Sequence, residues 1–163
     1  QSLGVDALAK PVDLATLAQD VVRDIQRTAE THRIELTIYG DFSDMLLDPK
    51  LMQRAMNNLL SNAVKYSPQG STVTFDLYRE NQEALLKIKD HGIGIPEDDQ
   101  ERLFDVFQRG QNVGNISGTG LGLAIVKQAI DAHQGTITCE STPGVGTTFV
   151  VRIPYMRVAV NGR

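Results

Sequence analysis

The 163 residues contain no tryptophan and one cysteine, and only 6% of them are aromatic. A single thiol, Cys139, excludes an internal disulfide. It falls within the apolar alternation of 136–140, where a packed strand position is the simplest reading. Cysteine and histidine nowhere cluster at metal-ligand spacing. No apolar run approaches the roughly 20 residues of a membrane span, and the opening residues do not read as a signal peptide. Basic residues are not in excess: 16 Lys and Arg stand against 20 Asp and Glu, a net charge of −4. That excludes a nucleic-acid binder working by bulk electrostatics, so any polyanion site must be built locally. With 41% hydrophobic and 22% charged residues, the chain reads as one globular domain. A domain of this size buries roughly 70% of its unfolded surface and needs no staple.

Glycine is plentiful but uneven. Of 14 glycines, ten fall between Gly92 and Gly146. Such a stretch either turns sharply or lets another group approach its backbone. Before it, apolar positions from Val12 to Ile25 recur with a helical period, and Ile34, Leu36 and Ile38 alternate as in a strand. Asp48-Pro49 reads as a capping residue followed by proline at the first helical position, opening a helix over 49–66. Strands are expected over 72–78 and 84–90, joined by 79–83 as a hairpin. A short helix over 97–107, a loop over 108–119 and a helix over 120–133 follow. A last strand pair, 136–140 and 147–153, turns on Thr142-Pro143-Gly144. Helices mixed with hairpins predict an α/β two-layer sandwich, a mixed, mostly antiparallel sheet with helices packed on one face. Residues 1–10 read as a linker, 11–156 as the domain and 157–163 as a tail.

Four constellations carry chemistry. On the helix 49–66, Asn58, Asn62 and Tyr66 project within about 40° of one another at the edge of the apolar arc. Half-buried carboxamides need partners. Neighbouring backbone is one, and a cation or polar ligand is another. Lys65, at the helix end, serves either the dipole or an anion. Asp90 ends an apolar strand and opens Asp90-His91-Gly92-Ile93-Gly94-Ile95-Pro96. A carboxylate there accepts hydrogen bonds, as from an exocyclic amine, and bare glycines let a ligand lie against the backbone. His91 reads as exposed rather than catalytic. Gly118-Thr119-Gly120-Leu121-Gly122-Leu123 turns into a helix, offering amides and a positive dipole end to phosphate oxygens. It lacks the strand of a dinucleotide fingerprint and the Lys-Ser/Thr of a Walker loop. Gly144 to Phe149 reads as a turn into the last strand.

These motifs, in this order and with Leu103, Phe104 and Phe107 between them, resemble the catalytic ATP-binding domain of sensor histidine kinases over about residues 47–154. Pro11-Val12-Asp13-Leu14 is similar to the entry of that domain. The resemblance implies the Bergerat ATP-binding fold with a lid over the nucleotide. It implies Asn62 as a Mg2+ ligand, Asn58 and Lys65 as polyphosphate contacts, and Tyr66 against the base. Asp90 would receive the adenine amine, with Gly92, Gly94 and Ile95 forming the pocket floor and Thr148 supporting Asp90. Gly118, Thr119, Gly120, Leu121, Gly122 and Leu123 would form the phosphate side of the lid. Phe104 and Phe107 would anchor it, and Arg109 would reach the γ-phosphate or the acceptor domain.

The implied activity is transfer of the ATP γ-phosphate to a histidine on a dimerising helical domain of the full-length protein, for relay to the receiver domain of a response regulator. Related gyrase-like ATPases place a Glu where Asn58 stands. A carboxamide does not accept a proton near neutral pH, which disfavours a hydrolysing clamp. A nucleotide-sensing scaffold remains the alternative. His32, His91 and His133 lack the acceptor's acidic helical context, so the chain reads as a monomeric catalytic module. Its expected place is cytoplasmic, without membrane or nucleic-acid contact, although its parent protein can be membrane-anchored.

Overall fold

The structure, a computed structural model, describes residues 9–98, 100 and 122–156. In chain order its elements are β1 (Lys10–Val12), α1 (Leu14–Thr28), β2 (Arg33–Ile38), β3 (Met45–Leu47), α2 (Pro49–Lys65), β4 (Thr72–Glu80) and β5 (Glu83–Lys89). They are followed by α3 (Leu123–Ala132), β6 (Thr136–Thr142) and β7 (Gly146–Pro154). Five strands form one sheet in the order β2-β4-β5-β7-β6. β2 runs parallel to β4, and every other pairing in it is antiparallel. The helices bury their apolar stripes on one face of this sheet, as expected for a two-layer α/β sandwich.

Local chemistry sets the helix starts. Asp13 accepts from the amides of Ala15 and Thr16 at the head of α1. Asp48 accepts from those of Lys50 and Leu51 at the head of α2, where Pro49 needs no partner. Each cap is worth about 1 kcal/mol. Leu14, Ala18, Val21 and Ile25 of α1 meet Met52, Met56, Leu59 and Leu60 of α2 and Val126 and Ile130 of α3 in one core. Phe75, Leu77, Leu86, Ile88, Val151 and Ile153 supply its sheet side, at alternate positions of their strands. Leu85 breaks this alternation: it is only 1% exposed yet lies outside that core, paired in register with Tyr78 and Arg152.

Several boundaries differ from expectation. The hairpin expected to turn over 79–83 pairs as far as Glu80 and Glu83. Its turn is only Asn81-Gln82, made possible by Asn81 at φ 58°, a left-handed conformation that asparagine tolerates. The last hairpin likewise pairs to Thr142 and Gly146. β1 and β3 form a separate antiparallel pair that three-residue strands give no periodicity to reveal. The last helix starts at Leu123 after Gly122, while Gly120 and Leu121 lie outside the described residues. Residues 97, 98 and 100 are helical. The rest of the helix expected over 97–107, and the loop 108–119, lie outside the described residues.

Candidate functional site

A cavity of about 110 Å³ opens between the C-terminal half of α2 and the ends of β5 and β7. Apolar groups dominate its lining: Ala63, Tyr66, Ile93, Ile95, Pro96 and Phe149. Asn62, Asp90 and Thr147 are the polar exceptions. This is the makeup of a small-molecule site, apolar walls with a few placed polar groups.

Asp90 stands where β5 ends and is only 8% exposed. Its Oδ1 accepts from the amide of Gly92 at 2.9 Å and from that of Thr147 at 3.2 Å. The Asp90 amide donates to the Thr147 carbonyl at 2.9 Å, which fixes the carboxylate to β7. Both side-chain bonds fall on Oδ1, which leaves Oδ2 as the acceptor for an N–H donor in the cavity. Burial pushes the Asp90 carboxyl above its ordinary 3.8; the bonds from Gly92 and Thr147 and the nearby His91 partly oppose this. His91 itself is exposed, as expected.

The support for Asp90 comes from Thr147, not from Thr148 as the resemblance implied. Successive strand residues face opposite sides. Thr147 shares the buried face of Phe149, whereas Thr148 points to the other side of the sheet, opposite Lys89 and Glu140. The inward position of Phe149 was the signal that could have chosen between them. Thr147 is itself held by a hydroxyl contact of 2.9 Å with Ser141. Ser141 accepts from the amide of Ile95 at 2.6 Å, binding the loop after Asp90 to the last hairpin. Neither Thr147 nor Ser141 was expected at the site.

The glycines around Asp90 serve this stitching. A side chain at Gly92 would collide with the Tyr66 carbonyl, so its bareness admits the end of α2 rather than a ligand. Gly94, at φ 76°, does line the cavity, but a side chain there would meet Thr142 and Pro143.

On α2, Asn62 is 8% exposed and lines the cavity, and Tyr66 caps the helix and walls the same space. Lys65 is exposed, its Nζ 5.4 Å from the Tyr66 ring centroid. Asn58 lies one turn toward the N-terminus, outside the cavity lining. A Cβ on Gly122 would stand 2.9 Å from Asn58 Oδ1, so the left-handed backbone at φ 62° lays the start of α3 on this amide. The N-cap of α3 is Gly122, which has no side chain to bond the first-turn amides, and the Ile125 amide turns to the Gly122 carbonyl at 3.2 Å. Leu123 is a core residue, 1% exposed, so its side chain packs inward and only its backbone is placed at the head of α3. Arg109, Gly118, Thr119, Gly120 and Leu121, with Phe104 and Phe107, lie outside the described residues.

Comparison with known proteins matches residues 47–157 to the histidine kinase-, DNA gyrase B-, and HSP90-like ATPases. The chain belongs to this family. It is a catalytic ATP-binding domain of the kind carried by sensor histidine kinases. It is 38% identical over 151 residues to the circadian input-output histidine kinase CikA of Synechococcus elongatus, which covers 89% of the chain but 20% of that protein. It is 43% identical over 113 residues to the sensor histidine kinase WalK of Bacillus subtilis, covering 67% of the chain and 18% of that protein. The chain thus spans about a fifth of these relatives. Among solved structures, the mycobacterial sensor histidine kinase MprB matches with a TM-score of 0.76 at 29% identity, covering 93% of this chain and all of that one. Among its described residues no helix is long and apolar enough to cross a membrane.

Proposed function

We propose that the domain binds ATP with the adenine in the cavity beside Asp90, and donates the γ-phosphate to a histidine on a helical domain of its own full-length protein, for relay to a response regulator. The observation that carries this reading is the Asp90 carboxylate, buried, fixed through Oδ1 and aimed at a mostly apolar cavity of about 110 Å³. An adenine amine donating to Oδ2 satisfies it, and Tyr66 and Ile93 cover the ring faces. From there α2 leads the phosphates past Asn62 to Asn58 and the first turn of α3, with Lys65 as a nearby positive charge.

Phosphoryl transfer asks a protein mainly for positioning and charge neutralisation. These residues supply both, and Asn58 does not act as a base toward water. Among the described residues no three of His, Cys, Asp or Glu converge on a cation. Mg2+ usually takes one or two protein oxygens and completes its shell with phosphates and water. The Asn62 carboxamide fits that role, holding an ion that arrives with the nucleotide. A Mg2+ ion held there would supply neutralisation of phosphate charge.

The test mixes the domain with ATP, Mg2+ and the separately expressed helical domain of the parent protein that bears the acceptor histidine. Transfer of label to that domain, lost in Asp90→Asn, is the expected result. Tight binding without transfer overturns the kinase reading in favour of a nucleotide-sensing scaffold, and steady phosphate release overturns it in favour of a hydrolase.

A further inference from the structure

The charge on α2 is one-sided. Its 17 residues include Lys50, Arg54 and Lys65 and no Asp or Glu, in a chain whose net charge is −4. Several other cations are paired locally: Arg23 with Asp20, Arg27 with Asp24, Arg33 with Glu35, Lys127 with Asp131 and Arg152 with Glu80. Among the described residues no carboxylate lies against Lys50 or Arg54. Both are exposed and line an open groove of about 410 Å³ with Gln53, Asn57 and Asn58.

That groove and the cavity share one helix. The cavity takes Asn62, Ala63 and Tyr66, and the groove takes Asn58 with Asn57, Arg54, Gln53 and Lys50. At 1.5 Å rise per residue, Asn58 lies about 6 Å from Asn62 along the axis, and Arg54 about 6 Å beyond Asn58. A ligand with its base in the cavity and its phosphates running past both amides therefore brings its last phosphate toward the guanidinium of Arg54. Lys50 stands one turn further out.

We infer that Arg54, seconded by Lys50, forms an anion subsite that reads the terminal phosphate of the bound nucleotide and makes the domain prefer a triphosphate to a diphosphate. This rests on the seating proposed above. The shorter ligand ends at Asn58 and leaves the groove to water. The longer one gains a charge-assisted contact, and the forked guanidinium fits phosphate oxygens better than an ammonium does.

Titration calorimetry of the intact chain with Mg2+ and either ADP or a β,γ-imido ATP analogue tests this. Arg54→Ala weakens the analogue about tenfold and ADP less than about twofold, because one charge-assisted contact is lost from one ligand only. Lys50→Ala has the same selectivity with a smaller loss, and Arg54→Lys recovers part of it. Equal losses for both nucleotides, or none, overturn the subsite while leaving the seating intact. Unchanged affinities with impaired transfer to the helical domain also overturn it, and assign the strip to an acidic partner surface. If the wild-type chain binds neither nucleotide, the subsite falls together with the proposed function.

Discussion

Burial raises the Asp90 carboxyl above 3.8, so the charged form that accepts from a base amine is the form that folding disfavours. A group whose folded pKa is raised stabilises below its unfolded value and loses that contribution as pH climbs through the folded one. At neutral pH the Asp90 charge therefore costs stability and serves binding. Asp90→Asn keeps an oxygen for the amides of Gly92 and Thr147 and removes the charge. Its melting temperature is expected to be no lower than wild type, while ATP-analogue affinity falls by at least about tenfold. Scanning calorimetry and titration check the two halves. In the wild type, affinity falls on acidification through the raised value of Asp90. Gly122 is a second position where one atom decides. Gly122→Ala imposes a left-handed alanine and a methyl 2.9 Å from Asn58 Oδ1. It is expected to cost about 1–2 kcal/mol in urea unfolding and to weaken nucleotide binding by turning the Asn58 amide.

His133 couples two of the elements that carry the site. It is fully buried at the C-cap of α3, and its Nε2 accepts from the Asp48 amide at 2.9 Å, at the residue that caps α2. Its other ring nitrogen, Nδ1, donates to the Ala129 carbonyl at 2.7 Å, which fixes the neutral tautomer. Burial lowers its pKa below 6.5, opposed by the Ala129 bond and Asp48. A depressed folded pKa means stability present above 6.5 and lost as pH falls toward the folded value. The unfolding midpoint is therefore expected to drop below about pH 6.5, and His133→Ala to remove this component. The same variant costs about 2–4 kcal/mol at neutral pH, through the cavity and the orphaned Asp48 amide. Urea titrations from pH 5 to 8 check both effects. Legibility in the sequence follows the same line between local and distant causes. Asp48-Pro49, the α2 face with Asn58 and Asn62, and the exposed His91 were readable because helix period and capping are local. Thr147 in place of Thr148, the Gly92 packing against Tyr66 and the clip at His133 depend on segments joined only by folding. The β1–β3 pair is too short to show a period at all.

At the scale of the whole molecule, the question is whether the chain can be its own phosphoacceptor. It has three histidines. His133 has both ring nitrogens engaged and no exposure. His32 has Nδ1 against Thr31 at 3.1 Å and Nε2 against the Ser67 carbonyl at 3.0 Å, beyond the C-terminal end of α2. His91 is exposed, but it follows Asp90 at the base end of the proposed seating. The phosphates run the other way, along α2 toward Asn58, and in-line transfer requires the nucleophile at their far end. The proposed seating thus points the donor away from His91 and His32, while His133, at the head of α2, is closed off by its burial and its two engaged ring nitrogens. Incubated alone with γ-labelled ATP and Mg2+, the 163-residue chain is expected to take up no label that survives base and is lost in acid. Such label on His91, located by peptide mapping, would reverse the assigned direction of the nucleotide along α2 and with it the roles of Asn58 and Arg54.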